Sequence, residues 1–231
     1  DGDMEAVEVT GATIVLAGGR GSRMGGVDKP TLEVEERPMR ASVLLAARSA
    51  LGEDAPLVLV GEQGADVQSI GAVCVREEPP FSGPVAGLAR GLAELERLGS
   101  TDEVVLVLGG DMPWLEPRVL GALLNECAEA PRKVAGAVDA GGRRQFLCAA
   151  WPRMVLARAL SHVAGEGGSL VGASAKSLYR ALGELRPEPV QPAWLDVGTL
   201  AGASGLAPEL VARSLSDIDS PEQLEQARSR R

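Results

Sequence analysis

A glycine-rich loop near the start of the chain carries the residues best suited to chemistry. Residues 17–29 read AGGRGSRMGGVDK and contain five glycines, one hydroxyl, two arginines and one lysine. Glycines let successive backbone N–H groups converge on the oxygens of an anion, and cationic side chains add charge at the same place. Lys29 is one of only three lysines in the chain, so the presence of a lysine in this loop is not explained by a high overall lysine content. The loop predicts a triphosphate cradle whose cations are Arg23 and Lys29.

Two better-known phosphate-binding loops do not fit these residues. The P-loop requires lysine between glycine and a hydroxyl residue, whereas Lys29 follows Asp28 and precedes Pro30. The dinucleotide-binding fingerprint requires a third glycine at the position that Met24 occupies. The loop therefore indicates neither a Walker-type NTPase nor a Rossmann dehydrogenase.

Acidic residues that could hold a metal follow at two further points. Asp111 comes two glycines after the β-prone run 104–108, and a pair of acids, DID, opens the C-terminal segment DIDSPEQL. Carboxylates are usual protein ligands of Mg²⁺, which bridges triphosphate oxygens and neutralises their charge. The C-terminal segment also has the form of a helix capping box, so a purely structural role is the alternative there.

Strands and helices alternate along the chain in a way that places these residues together. Alternation of this kind indicates βαβ units, and hence a single three-layer α/β/α domain of Rossmann-like type with a mainly parallel sheet. Such sheets bind ligands beyond the carboxyl ends of their strands. The predicted strands are 13–16, 57–60, 72–75, 104–108, 134–138 and 145–151, and the predicted helices begin near 38, 84 and 117 and cover 152–163 and 169–182.

Composition excludes several classes of function. The net charge of −9 and the low isoelectric point argue against nucleic-acid or anionic-membrane partners. No signal peptide and no apolar run near the roughly 20 residues of a membrane span is evident, so we expect a cytoplasmic protein. The three scattered cysteines are expected to be core residues. The single histidine, His162, has no serine or cysteine signature near it, so no nucleophilic triad is indicated.

The string LAGG, followed by Gly-Ser-Arg-Met-Gly and Asp-Lys-Pro, resembles the opening of nucleotidyltransferases, in particular the molybdenum cofactor guanylyltransferases. The resemblance implies the nucleotide-diphospho-sugar transferase-like fold. It implies that Lys29, Arg23 and Asp111 act in catalysis, and that Asp111 and Asp219 hold Mg²⁺, or Mn²⁺ in its place. The residues expected to bind the nucleotide are Leu16, Ala17, Gly18, Gly19, Gly21, Ser22, Lys29, Glu78 and Gly83.

A second segment carries the resemblance to the site for the base. VREEPPFSGPVAGL is similar to the family element in which an acidic residue reads the guanine edge and a glycine-proline pair then opens a helix. Glu78 matches the acidic position, and Glu77 remains the alternative. A carboxylate can accept hydrogen bonds from guanine N1–H and N2–H₂ together, which adenine does not offer.

Length and composition predict one domain preceded by a short polar segment. Residues 1–11 are expected to be a disordered or expression-derived segment, and residues 12–231 to form one nucleotidyltransferase domain. Its nucleotide-binding half is predicted at about 12–140 and its acceptor-binding half at about 141–231. Arg143 or Arg144 is a candidate ligand of the acceptor's phosphate, although exposed arginines are also common in turns between strands.

The activity implied is transfer of GMP from Mg-GTP to the phosphate of molybdopterin, with release of pyrophosphate. GTP and molybdopterin are then the small-molecule partners, and the family's place in cofactor assembly implies transient contact with molybdenum-insertion or target molybdoenzyme proteins. Three alternatives stay open: a CTP-dependent molybdopterin cytidylyltransferase, another nucleotidyltransferase acting on a small phosphorylated molecule, and a non-catalytic nucleotide-binding module.

Overall fold

The computed structural model describes residues 9–18, 23–24 and 26–229, with the backbone alone at Arg23, Met24 and Asp28. The strands are β1 Gly11–Ala17, β2 Arg23–Met24, β3 Val27–Asp28, β4 Glu33–Val34, β5 Arg37–Pro38, β6 Leu57–Gly61, β7 Val73–Val75, β8 Val104–Gly109, β9 Ala135–Val138, β10 Arg144–Pro152 and β11 Ala193–Leu195. The helices are α1 Met39–Leu51, α2 Ala65–Ser69, α3 Pro84–Arg97, α4 Pro117–Ala128, α5 Arg153–Ala164, α6 Ala175–Leu182, α7 Val197–Ser204, α8 Pro208–Ser214 and α9 Pro221–Ser229, and a 3₁₀ turn covers Lys29–Thr31.

A seven-stranded sheet in the order β11-β9-β10-β8-β1-β6-β7 forms the middle layer. Its pairings are parallel except those of β10, which runs antiparallel to both β8 and β9. Every residue of β1 is buried, as expected for a strand covered on both faces. The predicted α/β class with a mainly parallel sheet is confirmed.

The alternation of side chains along β1 divides the core into two layers. Val15 faces α1 and α4, where it joins an apolar cluster with Leu44 and Leu120. Ile14 faces α3 and α5 on the other side of the sheet, where the cluster includes Leu88 and Leu156. Burying a leucine or isoleucine side chain stabilises the fold by about 1.5 to 3 kcal/mol. The two layers together hold the strand ends, and hence the loops after them, in place.

The helix predicted over 169–182 is shorter in the structure. Helix α6 begins only at Ala175, because Gly172 adopts a φ of 79° and Ser174 caps the helix by accepting the N–H of Ser177.

Among the cysteines, Cys127 and Cys148 are buried, and burial raises the pKa of both thiols to about 12. In the described part of the chain, no helix has the length and apolarity to span a membrane.

Helix α3 lies unusually close to the sheet because two of its residues lack side chains. A Cβ at Gly91 would lie 2.6 Å from Ile14 Cγ2, and one at Gly87 would lie 3.1 Å from Leu16 Cδ2. The close approach brings the amino end of α3 next to the end of β1. It therefore helps to set the width of the cleft between them.

We expect Gly91→Ala to lower the free energy of unfolding, because the added methyl overpacks the α3–β1 contact at a cost of about 1 to 3 kcal/mol. That loss should exceed the gain of about 1 kcal/mol that alanine normally brings to a helix. Gly121→Ala in α4 is the matched control, since a Cβ there meets nothing within 4 Å. Urea titrations of the two variants should shift in opposite directions. Equal stabilities would contradict the packing described here.

Candidate active site

Strands β1, β6 and β8 end at the same edge of the sheet, and β1 is paired with both of the others up to that edge. Leu16 pairs with Gly109, and the N–H of Gly110 donates to the carbonyl of Leu16 at 2.9 Å. A Cβ at Gly110 would lie 3.1 Å from Ala17 Cβ and 3.2 Å from Pro30 Cβ. Glycine at 110 therefore lets the end of β8 approach the turn that carries the catalytic candidate Lys29.

Lys29 is buried and lies between two of the predicted carboxylates. Its Nζ is 2.8 Å from Asp111 Oδ2 and donates to Asp219 Oδ1 at 2.7 Å. Burial alone would lower the pKa of Lys29, but Asp111 and Asp219 outweigh it and hold that pKa above its usual value. The lysine thus carries a positive charge at the edge of the sheet.

The C-terminal segment brings Asp219 to this point from far along the chain. The N–H of Ile218 donates to the carbonyl of Asp111 at 3.2 Å, and the Ile218 side chain packs in an apolar cluster with Val34 and Met39.

The predicted capping box is present, because Gln223 Oε1 accepts the N–H of Ser220 and Ser220 Oγ accepts the N–H of Gln223. Gln223 Oε1 also accepts the N–H of Asp219, which fixes the backbone at the carboxylate. The capping role of this segment is thus confirmed, and the same turn places the Asp219 carboxylate beside Lys29.

A third carboxylate, Asp217, joins the two predicted ones. Carboxylate oxygens of Asp111, Asp217 and Asp219 all lie within 4.8 Å of one another. Burial, followed by the hydrogen bond and charge of Asp219 and the charge of Asp111, raises the pKa of Asp217 to about 6. Such crowding of hard oxygen donors fits Mg²⁺ or Mn²⁺, whose charge would relieve the repulsion. The sequence carried a signal for Asp217, because residues i and i+2 of an extended segment face the same side.

A cavity of about 440 Å³ opens beside this cluster, large enough for a nucleotide. The structure also places Glu77 on its wall, whereas Glu78 is exposed and lines a neighbouring cavity of about 490 Å³. The apolar part of the wall includes Val60 and Leu147. The predicted site residues that line the 440 Å³ cavity are Leu16, Gly18, Lys29, Gly83 and Asp111.

Some predicted residues cannot be placed in the cavity. Gly19, Gly21 and Ser22 lie outside the described residues, as does the side chain of Arg23, whose backbone pairs in β2 with Asp28 of β3. Ala17 is the buried last residue of β1. Away from the cavity, His162 bonds to Glu184 on the surface at 2.8 Å, in line with the absence of a triad signature.

Another cavity, of about 500 Å³, lies between α1 and residues 113–117. Trp114 borders it, donates Nε1–H to Glu35 Oε1 at 3.0 Å, and has its ring 5.0 Å from the guanidinium carbon of Arg213. None of the predicted site residues lines this cavity. The residues suited to phosphate chemistry converge instead on the 440 Å³ cavity.

The tight turn between β9 and β10 places Arg143 at the far side of the carboxylate cluster. Asp139 Oδ1 accepts the N–H of Gly141 and of Arg143 at 2.9 Å each, and Arg143 Nε donates to Asp139 Oδ2 at 3.0 Å. Arg143 Nη2 then reaches Asp217 Oδ1 at 3.5 Å. The neighbouring Arg144 turns the other way and lies over the ring of Trp194 at 5.1 Å.

Comparison with known proteins identifies the family and the fold. A molybdenum cofactor guanylyltransferase from Cupriavidus metallidurans is 32% identical over 141 residues, which cover 60% of this chain and 65% of that protein. A phosphoenolpyruvate guanylyltransferase from Conexibacter woesei is 33% identical over 126 residues, which cover 54% of this chain and 56% of that protein. The chain thus spans somewhat less than two thirds of the length of either relative.

The crystal structure of molybdopterin-guanine dinucleotide biosynthesis protein A from Archaeoglobus fulgidus superposes with a TM-score of 0.62 at 20% identity, over 94% of this chain and 96% of that one. This likeness shows the nucleotide-diphospho-sugar transferase-like fold that the sequence implied. Residues 13–185 match the family model of the MobA-like NTP transferase domain. The chain therefore belongs to the MobA-like NTP transferase family.

Proposed function

We propose that this protein transfers GMP from GTP to the phosphate of molybdopterin in a Mg²⁺-dependent reaction. In that reaction a phosphate oxygen of the acceptor bonds to the α-phosphorus, and the bond from the α-phosphorus to the bridging oxygen breaks. The electron pair of that bond leaves with pyrophosphate. The observation that carries the proposal is the position of Lys29, charged and held between Asp111 and Asp219 on the wall of a nucleotide-sized cavity.

Lys29 is suited to stabilise negative charge on the triphosphate. Its ammonium group is already ordered by two carboxylates and is partly withdrawn from water, so little reorganisation accompanies the reaction. Gly18, at the end of β1, lines the same cavity and leaves backbone accessible to phosphate oxygens. Catalysis then consists of positioning and charge stabilisation, without a covalent enzyme intermediate.

Asp111, Asp217 and Asp219 are the residues that would hold Mg²⁺, or Mn²⁺ in its place. When bound, the ion supplies charge neutralisation for the triphosphate and the departing pyrophosphate. The three side chains come from two segments joined by the Ile218–Asp111 backbone hydrogen bond, so their spacing is set before any ligand arrives. Lys29 shares two of these carboxylates, which means that it competes with a cation for them.

For the guanine edge we infer that Glu77 is the reader. Glu77 follows β7 and borders the cavity that Lys29 also lines, as well as the neighbouring one, whereas Glu78 is exposed and lines the neighbouring cavity alone. A half-buried carboxylate beside an apolar wall can accept both N1–H and N2–H₂ of guanine with little competition from water. The names of both relatives above, each a guanylyltransferase, support GTP over CTP.

A second acceptor has a specific observation in its favour. The Conexibacter woesei relative is named for phosphoenolpyruvate, and it matches this chain at the same level of identity as the molybdopterin-related one. Pyrophosphate release should be measured with GTP, CTP and UTP, each combined with molybdopterin or with phosphoenolpyruvate. Fastest release with GTP and molybdopterin supports the proposal. Release that requires phosphoenolpyruvate or CTP, or GTP binding without turnover on either acceptor, would overturn it.

Lys29→Ala should lower kcat/KM for GTP by about 100- to 1,000-fold, the usual effect of removing one charge-stabilising donor. Lys133→Ala is the matched control, because Lys133 is a surface lysine paired with Glu126 and Glu129. Initial rates and urea denaturation should be recorded for both variants. A Lys29→Ala protein that released pyrophosphate at the wild-type rate would exclude the proposed role.

The same substitution should have the opposite effect on metal affinity. With the ammonium group gone, Asp111 and Asp219 no longer share their charge with Lys29, so Mn²⁺ should bind about tenfold more tightly or better in the absence of nucleotide. Asp217→Asn and Asp219→Asn should instead weaken Mn²⁺ binding. Calorimetric titration with Mn²⁺ measures all three, with Lys133→Ala again as control. Unchanged affinity in Lys29→Ala would show that the ion does not share these carboxylates.

Glu77→Gln should raise KM for GTP by about 10- to 100-fold, because a neutral amide cannot accept both guanine donors. Its adjacent control, Glu78→Gln, should stay near wild type. Both variants should be assayed with GTP and ATP, so that loss of discrimination is separated from loss of binding. The reverse pattern would assign base reading to Glu78 instead.

A further inference from the structure

We propose that Arg143 binds the phosphate of the acceptor and so defines the side from which the acceptor enters. This inference rests on the proposed function, because it names the second-substrate contact of the same site. It also chooses between Arg143 and Arg144, which the sequence alone could not separate.

Arg143 stands on a turn that is ordered before any substrate binds. Asp139 accepts two backbone N–H groups across the turn as well as the Nε–H of Arg143, and Gln145 donates to the same carboxylate at 2.7 Å. Burial alone would raise the pKa of Asp139, but these hydrogen bonds from Arg143 and Gln145 lower it. The carboxylate therefore stays ionised and keeps the stem of the guanidinium in one orientation.

The outer end of the guanidinium is available to a ligand. The Arg143 side chain is 66% exposed, although its partner Asp139 is only 12% exposed. Its other contact among the described residues, Nη2 to Asp217 at 3.5 Å, is long for a charge-assisted hydrogen bond. The arginine of this pair is solvent-exposed and the contact with Asp217 is long, so the pair contributes little to stability and exchanging Asp217 for a phosphate costs little.

The carboxylate cluster consequently has a cation at each end. Lys29 contacts Asp111 and Asp219 and borders the nucleotide cavity. Arg143 contacts Asp217 and lies outside the set of described residues that line that cavity. In the proposal, Lys29 contacts the nucleotide and Arg143 contacts the acceptor.

An anionic acceptor needs a cation on this second side. A phosphate monoester that approaches the α-phosphorus meets the triphosphate and three carboxylates, in a protein of net charge −9. Arginine suits this task because its planar fork can bind two phosphate oxygens at once. Arg144 does not meet the requirement, since its guanidinium lies over the Trp194 ring, away from the cluster.

The test compares Arg143→Ala, Arg143→Lys and Arg144→Ala. With molybdopterin as the varied substrate and saturating Mg-GTP, Arg143→Ala should raise KM by about 10- to 100-fold and change kcat much less. Arg143→Lys, which keeps the charge and loses the fork, should recover part of the affinity. Arg144→Ala should stay within about twofold of wild type, an effect too small to represent a lost charge-assisted hydrogen bond.

Equilibrium binding of molybdopterin to protein saturated with a non-hydrolysable GTP analogue separates this inference from the proposed function. Weaker binding in Arg143→Ala, with GTP-analogue affinity retained, supports the phosphate contact even if turnover is not observed. Two outcomes overturn it: unchanged molybdopterin binding in Arg143→Ala, or loss that follows Arg144→Ala instead. Wild-type protein that binds molybdopterin through Arg143 but releases no pyrophosphate would reject the proposed function alone.

Discussion

The buried ammonium group of Lys29 joins three distant parts of the chain. The 3₁₀ turn after β3 supplies the lysine, the loop after β8 supplies Asp111, and the segment before α9 supplies Asp219. Burying a single charge costs several kcal/mol unless an opposite charge lies close by. Lys29 therefore depends on both carboxylates, and the crowded carboxylates depend on a cation. The neutralisation of the lysine by the carboxylates, and of the carboxylates by the lysine, holds these three segments together at the edge of the sheet.

The acidity of the protein as a whole gives this local arrangement its importance. With a net charge of −9, long-range electrostatics repels a nucleotide and a phosphorylated acceptor alike. Attraction has to come from individual groups at short range. Lys29 would supply it to the nucleotide in the proposed reaction, and Arg143, which contacts Asp217 of the same carboxylate cluster, would supply it to the acceptor. In the proposed reaction, that division keeps the two anionic substrates apart until their reacting atoms meet.

Much of the fold was predictable because strong local patterns agreed with it. The apolar runs of β1, β6 and β8 and the helices opened by Pro84 and Pro117 lie close to where they were expected. The predicted helix over 169–182 was wrong in its first turns, since the left-handed Gly172 and the Ser174 cap outweigh the apolar spacing. Apolar periodicity reports burial and cannot report where a chain reverses.

The sequence by itself determined the family resemblance, the glycine-rich loop and the candidate residues Lys29, Asp111 and Asp219, which meet in the site. Those features are local, because a motif is read along neighbouring residues. Only the tertiary structure decided that Asp217 joins the carboxylates, that Glu77 and not Glu78 borders the cavity, and that Arg143 and not Arg144 faces the cluster. Two of these outcomes are choices between adjacent residues of the same chemical type, whereas Asp217 joins Asp219 in the cluster without replacing it. The direction of the backbone at each of these positions decides which side chain faces the site. That direction is set by strand pairing and packing with segments far away in the chain.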